Sequence, residues 1–300
     1  MSGDIVRLEA EGAAEVQRVA EGSSVFQTPC GDGEMPWRHW ASGHAGSDVL
    51  VMLHGGSGSW THWLRNVRPF SELLDVYAVD LPGFGDAAML PEPYIAQDVA
   101  DCIVAGVRDL LGDRRLHLMG FSWGCTPAAL AAAALGDQVT SIVLQGPASV
   151  GNLPRRTGMA PLIRRTPDMT IAEVWAANEE NLARLMFHDR ALIDAPAVHT
   201  QVANTRRARF YSPQFALSDL VLVGLVATDC PLLTLYGEFD APAYPDIAAR
   251  ERAIKAVRPD CVFEVIDAGG HWLQYECANV FNARCHDWLK SHLAGALSSN

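Results

Sequence analysis

The sequence feature that most constrains the fold is the pentapeptide GFSWG at residues 120–124. It follows a short apolar run, residues 116–119, and precedes an alanine-rich stretch, residues 127–135. A Gly-x-Ser-x-Gly sequence between a buried strand and a helix is typical of a strained turn whose serine hydroxyl projects above a sheet. Glycine on either side of the serine leaves room for strand and helix to approach closely. The pattern predicts a strand–turn–helix unit, called the elbow below, with Ser122 at its tip.

The same alternation of apolar strand and helix recurs along the chain. We predict further strands at residues 48–53, 75–79, 139–144, 231–236 and 261–266, and further helices at residues 63–74, 94–111, 245–257 and 278–293. Continuous apolar strands separated by helices indicate a parallel sheet that is buried on both faces. Residues 16–19 and 37–40 are expected to add an antiparallel hairpin at its edge. The predicted fold class is α/β, with a mostly parallel, eight-stranded sheet flanked by helices.

Residues 149–229 have helical periodicity but no strand pattern, which predicts a helical lid inserted between two core strands. The core would then consist of residues 1–148 and 230–300. Between residues 151 and 215 we count nine arginines and six acidic residues, a net charge of +3 in a chain whose total is −12. A basic lid over an acidic body would attract a carboxylate-bearing substrate. The alternative is that these arginines form solvated helix faces paired with nearby acidic residues.

The composition excludes other classes of partner. A net charge of −12 argues against nucleic acid, since a phosphate backbone requires a basic surface. No stretch reaches the roughly 18 apolar residues that a membrane span needs, and no secretory signal is visible at the N-terminus. The seven cysteines are scattered, odd in number and without a Cys-x-x-Cys pair, which favours a reduced, cytoplasmic protein.

A serine is a weak nucleophile unless a base accepts its proton. His271 is the favoured base for Ser122, because it lies in a glycine-flanked loop just after the last predicted strand. His54 lies in another glycine-rich loop, where we expect it to hold that loop by hydrogen bonds. His117 is expected to be structural, inside a strand.

The acid that orients His271 should follow another strand. Residues 237–240, GEFD, offer both Glu238 and Asp240. We favour Asp240 because it lies farther from the strand, where the loop can turn back toward the histidine, and Glu238 is the rival. The resulting chain order is Ser…Asp…His.

Attack by Ser122 on a carbonyl group would develop negative charge on oxygen, which calls for preorganised N–H donors. The backbone N–H of Trp123 is one candidate, since it follows the nucleophile directly. The second should come from residues 54–58, HGGSG, with Gly56 favoured over Ser57. A phosphate-binding role for this loop is disfavoured because the Gly-Lys-Ser/Thr of a Walker A motif is missing. No dinucleotide fingerprint is present either, and we expect no cofactor and no metal.

The chain resembles the α/β-hydrolase superfamily over nearly its whole length. It is similar in particular to the branch of meta-cleavage-product (carbon–carbon bond) hydrolases, non-haem perhydrolases and small carboxylesterases. The motifs that carry the resemblance are LHGGSG at residues 53–58 with Trp60, NVRPF at 66–70, DLPGFG at 80–85, GFSWG at 120–124, GEFD at 237–240 and GHWLQYE at 270–276.

The resemblance implies an α/β-hydrolase fold, a Ser122–His271–Asp240 triad and an acyl-enzyme or closely related intermediate. Dehalogenases and epoxide hydrolases, which carry aspartate at the elbow, are disfavoured by Ser122. Carbon–carbon hydrolases use a lid arginine to clamp the substrate carboxylate, and Gln201 falls near that position. The arginines that would supply the clamp instead are Arg190, Arg206, Arg207 and Arg209. Other candidate substrate contacts are Ser57, Trp175, Met186, Phe187, Phe210 and Trp272, for which lid-to-core packing is the alternative.

The expected function is cleavage of an ester or similar carbonyl bond of a small molecule by a serine hydrolase. Carbon–carbon hydrolysis of meta-cleavage ring-fission products is a second interpretation. A non-catalytic, ligand-binding hydrolase homologue is an alternative of another class. Hydroxynitrile lyase and perhydrolase activities, and assembly into a homo-oligomer, are left open at this stage.

Overall fold

The strands of the described residues form one sheet. The computed structural model describes residues 2–44, 46–153 and 160–293. Its eight strands are β1 (Ser24–Cys30), β2 (Gly33–Trp40), β3 (Val49–Leu53), β4 (Asp75–Val79), β5 (Leu116–Phe121), β6 (Val139–Gln145), β7 (Leu232–Gly237) and β8 (Val262–Ile266). The order across the sheet is β1-β2-β4-β3-β5-β6-β7-β8.

The central strands are parallel and fully buried. Strands β3 to β8 run parallel to one another, and β1 and β2 form an antiparallel hairpin that joins the sheet at β4. Strands β3, β5, β6 and β7 are buried along their whole length, because helices cover both faces of the sheet. The six strands predicted for the core are confirmed, with ends that differ by at most two residues.

Helices pack on both faces of this sheet. They are α1 (Ser2–Ala20), α2 (Val67–Ser71), α3 (Ala96–Leu111), α4 (Cys125–Leu135), α5 (Ile171–Leu185), α6 (Ala195–Arg207), α7 (Leu220–Val226), α8 (Ile247–Val257), α9 (Leu273–Glu276) and α10 (Ala278–Ser291). Helices α3, α4 and α8 contribute to the core on one face, and α2 and α10 to the core on the other. No helix within the described ranges has the length and hydropathy that crossing a membrane requires. The helix expected at residues 63–74 is wrong in extent, because a 3₁₀ turn (Trp60–Trp63) precedes the short α2.

The N-terminal segment corrects another expectation. Residues 16–19 do not form a strand but belong to α1, and the partner of β2 in the edge hairpin is β1. The apolar side chains of Ile5, Leu8, Val16 and Val19 recur at helical spacing and pack against the core. Helix α1 also packs along α6, so closely that a methyl group at Gly12 would overlap the Cβ of His199.

Residues 149–229, called the insert below, connect β6 to β7. The insert contains α5, α6 and α7, and no strand among its described residues. Residues 154–159, with two of the nine arginines counted above, lie outside the described residues, as do residues 1, 45 and 294–300. Helices α5 and α6 pack against each other and against α1, while α7 packs on α4. The insert begins just after the C-terminal end of β6, at the edge of the sheet where the parallel strands end.

Candidate active site

Ser122 lies at the junction of β5 and α4, in a backbone conformation that side chains rarely adopt. Its φ angle is +50°, in the left-handed region. A methyl group at Gly124 would overlap the carbonyl oxygens of Leu53 and His54, and one at Gly120 would lie 2.7 Å from the Cα of Cys125. Only glycine at these two positions allows β5 and α4 to meet in so tight a turn. The strain is characteristic of sites where a reactive group must be held in one position.

Ser122, His271 and Asp240 form a continuous chain of hydrogen bonds. The Nε2 atom of His271 lies 3.0 Å from the Ser122 hydroxyl oxygen, and Nδ1 lies 2.8 Å from Oδ2 of Asp240. Asp240 is fully buried and His271 is 5% exposed. A carboxylate accepts hydrogen bonds, so the imidazole carries its proton on Nδ1 and turns the lone pair of Nε2 toward the serine. This arrangement can remove the proton of the hydroxyl group.

The other candidates considered from the sequence lie outside this chain of hydrogen bonds. Glu238 is exposed and accepts a hydrogen bond from the N–H of Ala268 at 3.0 Å. His117 is buried inside β5, where its Nδ1 lies 2.8 Å from the hydroxyl oxygen of Ser141. His54 is also buried, and burial lowers its pKa to about 4, so the ring is neutral at pH 7.

Two neutral histidines hold the loop that precedes Gly56. The N–H of Leu81 donates to Nε2 of His54 at 2.9 Å, which leaves the proton on Nδ1 to donate to the carbonyl oxygen of Gly55 at 2.7 Å. The N–H of Gly55 in turn donates to Nδ1 of His62 at 3.3 Å. Burial lowers the pKa of His62 well below its usual value. Because both hydrogen-bonding groups of Gly55 are fixed, so is the peptide plane that carries the N–H of Gly56.

The N–H of Gly56 has no acceptor among the main-chain and side-chain groups of the described residues. A methyl group at Gly56 would lie 3.9 Å from the Cβ of Trp123, so the two candidate amides lie on facing loops beside Ser122. The N–H of Trp123 belongs to the first turn after the strand, where amides lack a partner within the helix. Ser57, the alternative donor, has a φ of +51° and follows in the same loop. The two loops can therefore present N–H donors to a developing oxyanion.

Comparison with known proteins agrees with this geometry. A sequence model of the alpha/beta hydrolase family matches residues 50–284. The chain belongs to the alpha/beta hydrolase family.

Proteins to which this hydrolase is similar in sequence or in fold are named as a dienedioate hydrolase, a meta-cleavage product hydrolase and an esterase. This hydrolase is 28% identical over 294 residues to a 2-hydroxy-6-oxononadienedioate/2-hydroxy-6-oxononatrienedioate hydrolase of Cupriavidus pinatubonensis, covering 92% of this chain and 99% of the relative. The structure of naproxen esterase from Bacillus subtilis superposes with a TM-score of 0.73 at 21% identity, covering 95% and 98% of the two chains. A meta-cleavage product hydrolase of Pseudomonas fluorescens superposes with a TM-score of 0.66 at 18% identity, covering 86% and 94%.

The cavity next to Ser122 in this hydrolase is small. Its volume is about 40 Å³, whereas a cavity that binds benzene measures about 150 Å³. Ser122 and His271 border it from the core, and residues 149–151, Leu153 and Ala216 border it from the insert. Residues of the insert thus border the space beside the serine.

Aromatic side chains of the insert pack against the elbow. The Trp123 ring packs against Phe210 and Phe215, with ring centroids 5.3 and 5.1 Å away. A methyl group at Gly56 would also overlap the hydroxyl oxygen of Ser212, so this turn of the insert lies directly on the loop of residues 54–58. Phe210 therefore contacts the elbow, while Met186 and Phe187 are buried in the core.

Most candidate substrate contacts are not brought to this cavity. Arg190 is exposed and pairs with Glu180 at 2.7 Å, and Arg206 lines an open surface groove. Trp175 is buried in the packing between the insert and the core, and Trp272 is fully buried and donates from Nε1 to the carbonyl oxygen of His62 at 2.9 Å. Gln201, on α6, is absent from the described lining of the cavity, as are the other lid arginines, Arg207 and Arg209. Apolar periodicity alone did not indicate which face of each helix turns inward.

Some residues of the site were missed in the sequence. His62 was not singled out, although it follows the loop of residues 54–58 by only four positions. Arg250 and Tyr236 border the cavity, and the Tyr236 hydroxyl donates to the carbonyl oxygen of Pro147 at 2.9 Å. Glu276 was quoted only within a motif, and its position five residues after His271 was the available signal.

Proposed function

We propose that this hydrolase cleaves an ester or similar carbonyl bond of a small molecule through Ser122, His271 and Asp240. The observation that carries the proposal is the hydrogen-bonded chain in which a buried carboxylate orients an imidazole against a strained serine. Gly56 and Trp123 would form the oxyanion hole with their backbone N–H groups.

The proposed reaction has two steps. His271 removes the proton of Ser122 as its oxygen attacks the carbonyl carbon, and Asp240 stabilises the imidazolium that forms. The two amides stabilise the negative oxygen of the tetrahedral intermediate. The imidazolium then protonates the leaving group, and an acyl group remains on Ser122. Water, activated by the same imidazole, releases the acid product.

The insert, residues 149–229, would act as a lid over a core made of residues 1–148 and 230–300. Support comes from residues 149–151, Leu153 and Ala216 of the insert, which border the cavity of about 40 Å³ beside Ser122. The exposed arginines of the insert would attract a carboxylate-bearing substrate before it enters. We also propose a cytoplasmic location, which the free state of all seven cysteines supports.

A second candidate is the hydrolysis of a carbon–carbon bond in a meta-cleavage ring-fission product. It is favoured by the nearly full-length match to the Cupriavidus hydrolase, whose named substrates are dicarboxylates. A hydrolase that accepts such a substrate must bring the same serine and histidine to a ketone rather than an ester.

Turnover of two kinds of substrate distinguishes ester hydrolysis from carbon–carbon bond hydrolysis. Purified protein would be given fluorogenic esters of graded acyl length and, separately, a vinylogous 1,5-diketone acid, with Ser122→Ala as the control. Faster turnover of the esters supports the first candidate, and faster loss of the diketone chromophore supports the second. Failure of a fluorophosphonate probe to label Ser122 would contradict both and favour a ligand-binding protein.

A further inference from the structure

Glu276, at the C-terminal end of α9, is a buried carboxylate in contact with two separate segments. It is 7% exposed. Its Oε2 accepts the N–H of Gly270 at 2.7 Å, and its Oε1 accepts the N–H groups of Asp189 at 2.7 Å and His188 at 2.9 Å. Gly270 directly precedes His271, whereas His188 and Asp189 belong to the insert, just after α5. One side chain therefore joins the insert to the loop that carries His271, residues 267–272, called the histidine loop below.

Further contacts strengthen the same junction. The N–H of Trp272 donates to the carbonyl oxygen of Met186 at 2.8 Å. The His188 ring stacks on Phe239, with ring centroids 3.7 Å apart and an interplanar angle of 8°. Phe239 directly precedes Asp240. Residues 186–189 of the insert thus contact the immediate neighbours of both His271 and Asp240.

The histidine loop and the insert are tightly packed at Gly270. A methyl group at Gly270 would lie 2.6 Å from the N atom of His188 and 2.8 Å from the carbonyl oxygen of Met186. Both distances are too short for ordinary contact, so the histidine loop and the insert touch backbone to backbone. A change in the position of residues 186–189 must therefore move the loop that carries His271.

We propose that Glu276 is a positioning residue, which holds His271 in line with Ser122 and Asp240 by fastening residues 186–189 of the insert to the histidine loop. This inference rests on the proposed function, because it assigns Glu276 a role in the same reaction. Glu276 touches none of the reacting groups and acts through the backbone on either side of them. The segment 186–189 then stays fixed when the rest of the insert opens.

A carboxylate is needed at this position because its environment supplies only donors. Burial raises the pKa of Glu276, and the three N–H groups oppose that effect. A glutamine of the same shape would place an NH₂ group against an N–H donor on one side or the other. One of the two segments must then move away, and displacement of a catalytic group by about 1 Å costs roughly 100-fold in rate.

Glu276→Gln and Glu238→Gln make a matched pair for the test. Both remove a charge by the same chemical change, and both carboxylates accept an N–H from the histidine loop. Glu238, however, is exposed, and its hydrogen bond reaches Ala268 and not the insert. We expect Glu276→Gln to lower kcat for a fluorogenic ester about 10- to 100-fold, with KM within about twofold of the wild-type value. Both steps use His271, so acylation and deacylation should slow together. Glu238→Gln should stay within about twofold in both parameters.

Two further measurements separate positioning from simple stabilisation. The rate of fluorophosphonate labelling at Ser122 should fall in parallel with kcat at a temperature where the variant is fully folded. Amide hydrogen exchange should become faster at Gly270, His188 and Asp189 together. If Glu276→Gln does not fold, Gly270→Ala is the second variant. Its added methyl group would push the histidine loop away from residues 186–189, and it should lower kcat by at least as much as Glu276→Gln.

The outcomes that overturn the inference are specific. A lower melting temperature with unchanged kcat and labelling rate would mean that Glu276 only stabilises the fold. Faster exchange at Gly270 alone would mean that the insert is not fastened through Glu276. If the wild-type protein resists the probe, the proposed function fails, and the exchange measurement still decides whether Glu276 joins the two segments.

Discussion

Replacing Asp240 by asparagine tests the assignment of the acid. The substitution preserves the size of the side chain but presents either an amide oxygen or an NH₂ group to His271. If the NH₂ group faces Nδ1, the imidazole must carry its proton on Nε2, and Nε2 can no longer accept the proton of Ser122. The carboxylate that would stabilise the imidazolium is lost in either orientation.

The expected magnitude follows from the geometry. The Nδ1–Oδ2 distance is 2.8 Å and Asp240 is fully buried, so the two charges interact with little screening. Unit charges about 4 Å apart at an effective dielectric constant of about 20 attract by about 4 kcal/mol. That energy corresponds to roughly a 10³-fold change in rate. The wrong tautomer adds to this, so we expect kcat to fall by about 10³- to 10⁴-fold.

The assay is the initial rate of ester hydrolysis, with the circular dichroism spectrum as a check on folding. Glu238→Gln is the control, because the exposed Glu238 carboxylate accepts an N–H from Ala268 and has no contact with the imidazole. We expect it to retain nearly full activity. A folded Asp240→Asn variant with wild-type turnover, together with an inactive Glu238→Gln variant, would refute the assignment of the acid.

Three further predictions concern the elbow, the buried histidine and the insert. Gly124→Ala should destabilise the fold by about 3 kcal/mol or more, because the methyl group overlaps the carbonyl oxygens of Leu53 and His54; an unchanged urea midpoint would contradict the prediction. Burial lowers the pKa of His54 to about 4, whereas a histidine of the unfolded chain has a pKa of about 6.5. As the pH falls, the unfolded chain therefore binds a proton at His54 before the folded protein does. The stability that the neutral ring contributes above about pH 6.5 is lost as the pH falls toward 4. Between pH 7 and pH 4.5, His54→Gln should therefore lose about 2.5 kcal/mol less stability than the wild type, and equal losses in urea titrations would contradict this. Phe215→Ala removes a ring stacked on Trp123 and should speed limited proteolysis within the insert several-fold, whereas an unchanged cleavage rate would show that this stacking does not hold the insert.

The core of the fold could be predicted because its signals are local and repeated. Each buried parallel strand is a continuous apolar run, and each loop that carries a polar group of interest follows such a run. The ends of parallel strands meet at one edge of a sheet, so the proximity of Ser122, Asp240 and His271 could be predicted without coordinates. Asp240 was preferred to Glu238 on loop length alone, and the observed hydrogen bond to His271 agrees with that preference.

The insert and the N-terminal segment could not be predicted in the same detail. Helical periodicity shows that a helix has an apolar face but not which neighbour that face meets. Arg190 was a candidate clamp because Gln201 stands near the position of the family's clamp arginine, and the structure shows Arg190 paired with Glu180 at the surface. Residues 16–19 looked like a strand in a window of four, whereas the whole stretch from Ser2 has the apolar spacing of a helix. The position of Glu276 near His271 was visible in the sequence, but its contacts with His188 and Asp189, 88 and 87 residues away, have no local signal.

The packing of α1 on α6 has a consequence for protein engineering. Helix α1 touches the insert near Gly12, and its C-terminal end is anchored to the body of the protein, where Nε1 of Trp40 donates to the carbonyl oxygen of Val19 at 3.0 Å. A chimaera that receives the insert of a relative should therefore also receive that relative's first twenty or so residues. Otherwise the grafted α6 would pack against an N-terminal helix whose side chains fit a different α6.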